Sequence, residues 1–246
     1  MNQIQKELKL SKEKLLKTFS DVPDLVELSI ANVAIVEAMI QNDSAYIKSG
    51  SKEAVPTHKK DGSVQYGGST AYWMTQLKIF LEQNKHPQFT YGEIISKAVE
   101  TVDRENSTHL NADKIGRKEI TNRILNIKNL KNKLKNANLD LIETISAKTS
   151  AKTRARVNLS FASKFCHYAC FYLFEGLPEQ DNYSIYDNVV KKVLQKYVNY
   201  YHLPTRDLDN YKNYQKTIDE IITQSKSHIS RNGFDHLLWY YFKGRI

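Results

Sequence analysis

VNLSFASKFCHYACFYLF, residues 157–174, holds one ionisable cation, Lys164, in an otherwise apolar and aromatic run. Its length and apolar content predict a helix buried on most sides, and therefore the centre of the fold. A lysine there must either be buried at a cost or be put to use. Around this segment the helical period recurs. DVPDLVELSIANVAIVEAMIQN (21–42) opens on an acidic, proline-containing start. TAYWMTQLKIFLEQN (70–84) and TYGEIISKAVETVDREN (90–106) follow, the second with Thr90 as its cap. Residues 111–148 read as two short basic helices and a third that starts near Asn138. DNVVKKVLQKYVNYY (187–201), DNYKNYQKTIDEIITQS (209–225) and NGFDHLLWYYFKG (232–244) complete the set. No run alternates as a strand would, and the glycine-rich stretch 49–70 reads as a long loop. The expected class is all-α: a single domain over 1–246, with loops at 43–69 and 103–111 dividing lobes 1–105 and 106–246 around a cleft.

Charge adds a second constraint. The chain carries a formal +9, and residues 114–164 hold thirteen basic side chains against three acidic ones, so this stretch accounts for the whole excess. A solvated helix face usually mixes signs; a block of one sign leading into Lys164 points to phosphates. No apolar run is long enough to span a bilayer, and MNQIQKELKLSKEKLLKTF (1–19) is too charged for a secretory signal. The expected setting is cytoplasmic, with no membrane partner. Cys166 and Cys170 flank His167, but nothing nearby completes a four-ligand zinc set. Both thiols are expected buried and reduced, with no metal and no cofactor.

Lys164 and Asp187, twenty-three residues apart, suggest a specific chemistry. A lysine amine is protonated at neutral pH, with a reference pKa of about 10.4. Desolvation and cationic neighbours favour the neutral, nucleophilic form. Such an amine can attack a sugar C1′, displace the base and form an imine. Loss of the base builds positive charge on the sugar, which a carboxylate stabilises. Taken singly, each residue has a plainer role: a lysine in an apolar helix snorkels to water, and an aspartate before a helix caps it. The arrangement together carries the functional reading.

The stretch from Asn158 to Val190 resembles the helix-hairpin-helix DNA glycosylases, and within them the prokaryotic 8-oxoguanine DNA glycosylase-like group. SFASK stands where that superfamily has its hairpin and catalytic lysine, which places Lys164 at the lysine position. IYDNVV stands at the aspartate motif and places Asp187 at the aspartate position. The tail, YKNYQKTIDEI followed by DHLLWYYFKG with Trp239, is similar as well, so the resemblance covers roughly the last 100 residues. It implies a DNA N-glycosylase with a helix-hairpin-helix-like element, acting as a monomer on double-stranded DNA that contains a modified base. The base would be 8-oxoguanine-like or a hypermodified phage base such as glucosylated hydroxymethylcytosine. The setting would be DNA repair or antiphage defence, and β-lyase activity could follow excision. Where the usual hairpin is Gly-x-Gly, Ser160 and Ala162 stand here. Lys128, Lys131, Lys148, Lys152, Arg154, Arg156 and Ser160 are the expected DNA contacts. Phe165, Tyr168, Trp73 and Trp239 are candidate walls of a base pocket.

Two rivals remain. RNGFDH, with Arg231 and His236, matches the short Arg-Asn-x-x-x-His pattern of HEPN-domain ribonucleases, in which the His would act as acid or base and the Arg would stabilise the phosphorane. A non-enzymatic DNA-binding protein would use the basic block for phosphates alone.

Overall fold

The computed structural model describes residues 15–42, 50–53, 55–58, 64–82, 88–110, 115–149 and 157–243. Lys152, Arg154 and Arg156 therefore lie outside the described residues. Among the described residues ten α-helices carry the fold, as the periodicity predicts. The one departure is in the stretch read as a loop: β1 (Val55–His58) and β2 (Val64–Gly67) pair antiparallel. Four-residue strands are too short for alternation to stand out in a glycine-rich segment.

The chain divides into two compact units, Met1–Asp43 with Tyr186–Ile246, and Ser44–Ile185. The lobe boundary expected at 105/106 falls inside the second of these. The reason is Asp103, 3% exposed, which ties the 103–111 connection down rather than letting it hinge. Its carboxylate accepts from Thr108 Oγ1 at 2.6 Å, the Leu110 amide at 2.9 Å and Arg117 Nε at 2.7 Å.

In the unit 44–185, α7 (Leu159–Leu173) is the central element, with ten of its fifteen residues buried. It packs on α2 (Thr70–Glu82), α3 (Tyr91–Glu105), α5 (Leu130–Lys135), α6 (Asp140–Ser146) and the 3-10 turn Pro178–Asp181. α4 (Ile115–Leu125) packs on α3 and α6. Thr90 caps α3 in a reciprocal box with Glu93, satisfying donors at both ends of the first turn. Tyr183 and Asn182 close the end of α5. Asn182 Nδ2 donates to the Leu134 and Lys135 carbonyls at 2.9 Å each, and the Tyr183 hydroxyl donates to Asn138 O at 3.1 Å. Leu134 O also accepts from the Ala137 amide at 3.2 Å and Asn138 O from the Leu141 amide at 3.1 Å, so these side chains add a further donor to each.

The other unit is built from α1 (Ile30–Gln41), α8 (Asn188–Tyr200), α9 (Tyr211–Ser225) and α10 (Arg231–Phe242), with α10 against each of the other three. Residues 15–28 strap across it. Buried Asn32 accepts from the Lys17 amide at 3.0 Å and donates to the Lys17 and Glu27 carbonyls at 2.8 Å. The buried Tyr197 hydroxyl donates to Val26 O at 2.7 Å.

Candidate active site

Lys164 lies in the second turn of α7 and is 8% exposed. Its Nζ points to the carbonyl of Asn106 at 3.5 Å, a long contact. Asn106 is the C-cap of α3, so the ammonium sits at the negative end of a helix. One turn on, the Tyr168 hydroxyl donates to Asn106 Oδ1 at 3.0 Å. One turn further stands half-buried Tyr172. The spacing i, i+4, i+8 puts all three on one face of α7.

That face meets the start of α2. Glu105 accepts from the Thr70 amide at 3.1 Å, so a carboxylate caps an N-terminal turn. Thr70 is 4% exposed, and its hydroxyl has no hydrogen-bond partner among the described residues. Leaving a buried hydroxyl unpaired costs about 1–3 kcal/mol. Burial first, then the charges of Glu105 and Glu175, push the Tyr172 phenol up to about 12, so it stays protonated near neutral pH. The segment before α2 is close-fitted. A Cβ on Gly68 would stand 2.2 Å from the Tyr72 ring and 2.7 Å from Trp73 Nε1. Ser69 Oγ ties to Ser51 O, and Lys52 reaches Glu175 at 3.0 Å.

Asp187 belongs to the other unit. It is the N-cap of α8, and its Oδ1 accepts from the Val189 amide at 2.7 Å. The chain approaching it is fixed on α7, because His167 Nδ1 lies 3.0 Å from Tyr183 O. Three residues then separate Tyr183 from Asp187.

Ser160 and Ala162, expected in a hairpin turn, instead lie in the first turn of α7. The Ala162 amide donates to Asn158 O at 3.0 Å, so it is already spent within the helix. Without glycine these residues favour the helical conformation that a Gly-x-Gly turn avoids. Phe165 is fully buried and Trp73 is 2% exposed, Trp73 set edge-on to Tyr72 and Phe89. Both are core, and of the four expected pocket walls Tyr168 alone shares the Lys164 face. Trp239 lies in the other unit, under Lys243 Nζ at 3.7 Å.

The basic block splits in two. Lys128 and Lys148 are exposed, and Lys131 is half-buried, with Glu82 4.0 Å away. Arg123 turns to the end of α6, donating to the Ala147 and Lys148 carbonyls, and Arg117 serves Asp103. These two arginines hold structure. Cys166 and Cys170 are free and buried, and burial raises both thiol pKa values. No group of three His, Cys, Asp or Glu among the described residues could hold a metal ion, nor is any helix there long and apolar enough to cross a membrane.

Arg231 and His236 engage different carboxylates. Arg231 forks onto Asp219 at 2.6 and 2.9 Å, and His236 Nδ1 lies 2.6 Å from Glu37. Five residues of helix turn them about 140° apart. An open cavity of about 600 Å³ in the same unit is lined by Asp21, Asp24, Lys196, Tyr200 and His202, among others, and includes neither Lys164 nor Asp187.

A family model described as an N-terminal domain (HI_0787_N) matches residues 72–171. The match runs from α2 into α7, includes Lys164 and stops short of Asp187. It covers less than half of the chain, and its description names no activity. No curated protein and no solved structure matches.

Proposed function

We propose that this chain is a DNA N-glycosylase that extrudes a modified base from double-stranded DNA and excises it. The observation that carries the reading is Lys164: an amine 8% exposed on the central helix of its unit, flanked on its own face by two half-buried tyrosines. In the proposed reaction the neutral amine attacks C1′, the C1′–N bond breaks, and the base leaves with the electron pair and takes up a proton. The nitrogen loses its protons as the sugar ring opens, giving an imine. Water hydrolyses the imine to an abasic site, or loss of the 2′ proton expels the 3′ phosphate by β-elimination. Asp187 stabilises the positive charge on the sugar as the base departs. Lys128, Lys131 and Lys148 contact phosphates, and the protein works as a cytoplasmic monomer in repair or antiphage defence.

Borohydride reduces an imine to a stable amine and so traps protein on DNA. Wild-type protein should trap on at least one oxidised or phage-modified duplex, and Lys164→Gln should not. Cleavage of RNA that depends on His236 and not on Lys164 would establish the ribonuclease alternative instead. The separate pairing of Arg231 and His236 disfavours it.

A further inference from the structure

Asp187 follows directly on a seam in the chain: Ile185 ends one compact unit and Tyr186 opens the other. A carboxylate that stabilises developing charge works only where it is held, and a misplacement of about 1 Å can cost about 100-fold in rate. Asp187 Oδ1 accepts from the Val189 amide, and the Asp187 carbonyl accepts from the Lys191 amide at 2.8 Å. Both bonds run forward into α8. On the entering side the chain is held by two tyrosines that the excision step does not use.

Tyr214, one turn into α9, is fully buried, and its hydroxyl makes a hydrogen bond with the Asp187 main chain. Burial first, then the Asp235 charge, push this phenol up, so it stays protonated near neutral pH. Phenylalanine would fill the same space; the buried hydroxyl adds a directed contact, and that contact goes to Asp187. Tyr186 is 7% exposed and packs on Tyr214, with ring centroids 4.9 Å apart. Its hydroxyl donates to Asp209 Oδ1 at 2.9 Å and accepts from Lys191 Nζ at 3.1 Å, and Lys191 also pairs with Asp209. Asp209 and Tyr214 flank the start of α9, so one helix end grips both Asp187 and the residue before it.

We propose that Tyr214, with Tyr186 beside it, is a positioning residue that holds the Asp187 carboxylate where the sugar develops charge. This inference rests on the glycosylase reading and deepens it.

A double-mutant cycle separates positioning from plain support. Single-turnover base release would be measured on a modified duplex for wild type, Tyr214→Phe, Asp187→Asn and the double variant. Affinity would be measured on the same duplex carrying a non-cleavable 2′-fluoroarabino nucleoside at the target. Tyr214→Phe should release base about 10-fold more slowly, with affinity within about 2-fold of wild type. In the Asp187→Asn background the same substitution should change the rate by less than about 2-fold, because the charge it positions is already gone. Thermal melts establish that each variant is folded. Should Tyr214→Phe fail to fold, Tyr186→Phe takes its place in the cycle with the same expectation, since it keeps the ring on Tyr214 and cuts the link to Asp209 and Lys191. A wild-type rate in the folded variant, or an equal loss in both backgrounds, would overturn the inference. Either result leaves borohydride trapping through Lys164 intact, whereas wild-type protein that traps on no duplex sinks the glycosylase reading itself.

Discussion

Two residues decide whether this chain does chemistry, and each has a structural duty that must be separated from it. Asp187 caps α8 through its Oδ1. Replacing it with Ala should cost about 1 kcal/mol of stability, whereas Asn keeps a capping oxygen and removes the charge. Asp187→Asn should therefore melt near wild type yet excise base at least about 100-fold more slowly; single-turnover base release alongside a thermal melt reads both. If Asn matched wild type in both, Asp187 would be a cap alone. His236 offers a different test. Burial pulls its pKa down, but the hydrogen bond and charge of Glu37, with Asp235 adding to them, leave it raised. A raised folded pKa gives stability that is full below about pH 6.5 and is lost as pH rises through the folded value. Melting temperature should fall across that window in wild type, and the fall should be shallower in Glu37→Gln.

At the scale of elements, burial on α7 is what the sequence makes plainest. A lone lysine in an aromatic run placed the helix at the centre of its packing, and ten buried residues agree. The Thr90 box was equally legible, because its partner Glu93 stands three residues on. Asp103 was not. Nothing local marks a helical aspartate as the anchor of a turn that closes seven and fourteen residues later. Asp103→Ala should cost about 3–5 kcal/mol, because Arg117 would lose its partner; chemical denaturation gives the value, and a loss below about 1 kcal/mol would contradict the anchoring role. The hairpin misled for a related reason. SFASK resembles the segment that holds a Gly-x-Gly turn, but its own residues favour helix, and the structure follows the residues. The contact between Glu105 and the Thr70 amide was not legible either, since thirty-five positions separate them and neither stands in a motif.

Over the whole molecule, charge and division matter most. The formal +9 is concentrated in one stretch, yet Arg117 and Arg123 turn inward to protein acceptors. Only part of the block can therefore contact phosphate. Replacing Lys128, Lys131 and Lys148 with Ala should weaken duplex binding and reduce the salt slope by up to about 3, measured as affinity against log salt. An unchanged slope would move the DNA contact elsewhere. Sequence spacing placed Lys164 and Asp187 twenty-three residues apart, and the fold assigns them to separate compact units. That division was hidden because the first unit takes its chain from both ends of the sequence, which no composition shift announces. The family match is confined to the unit that holds Lys164.

Borohydride trapping on duplexes with normal, oxidised and phage-modified bases, followed by mass spectrometry of the adduct, tests the central claim most directly. The account predicts a single protein–DNA adduct, linked through Lys164, on a modified duplex and absent on unmodified DNA. Base release that persists in folded Lys164→Gln, or an adduct mapped to another lysine, would contradict it.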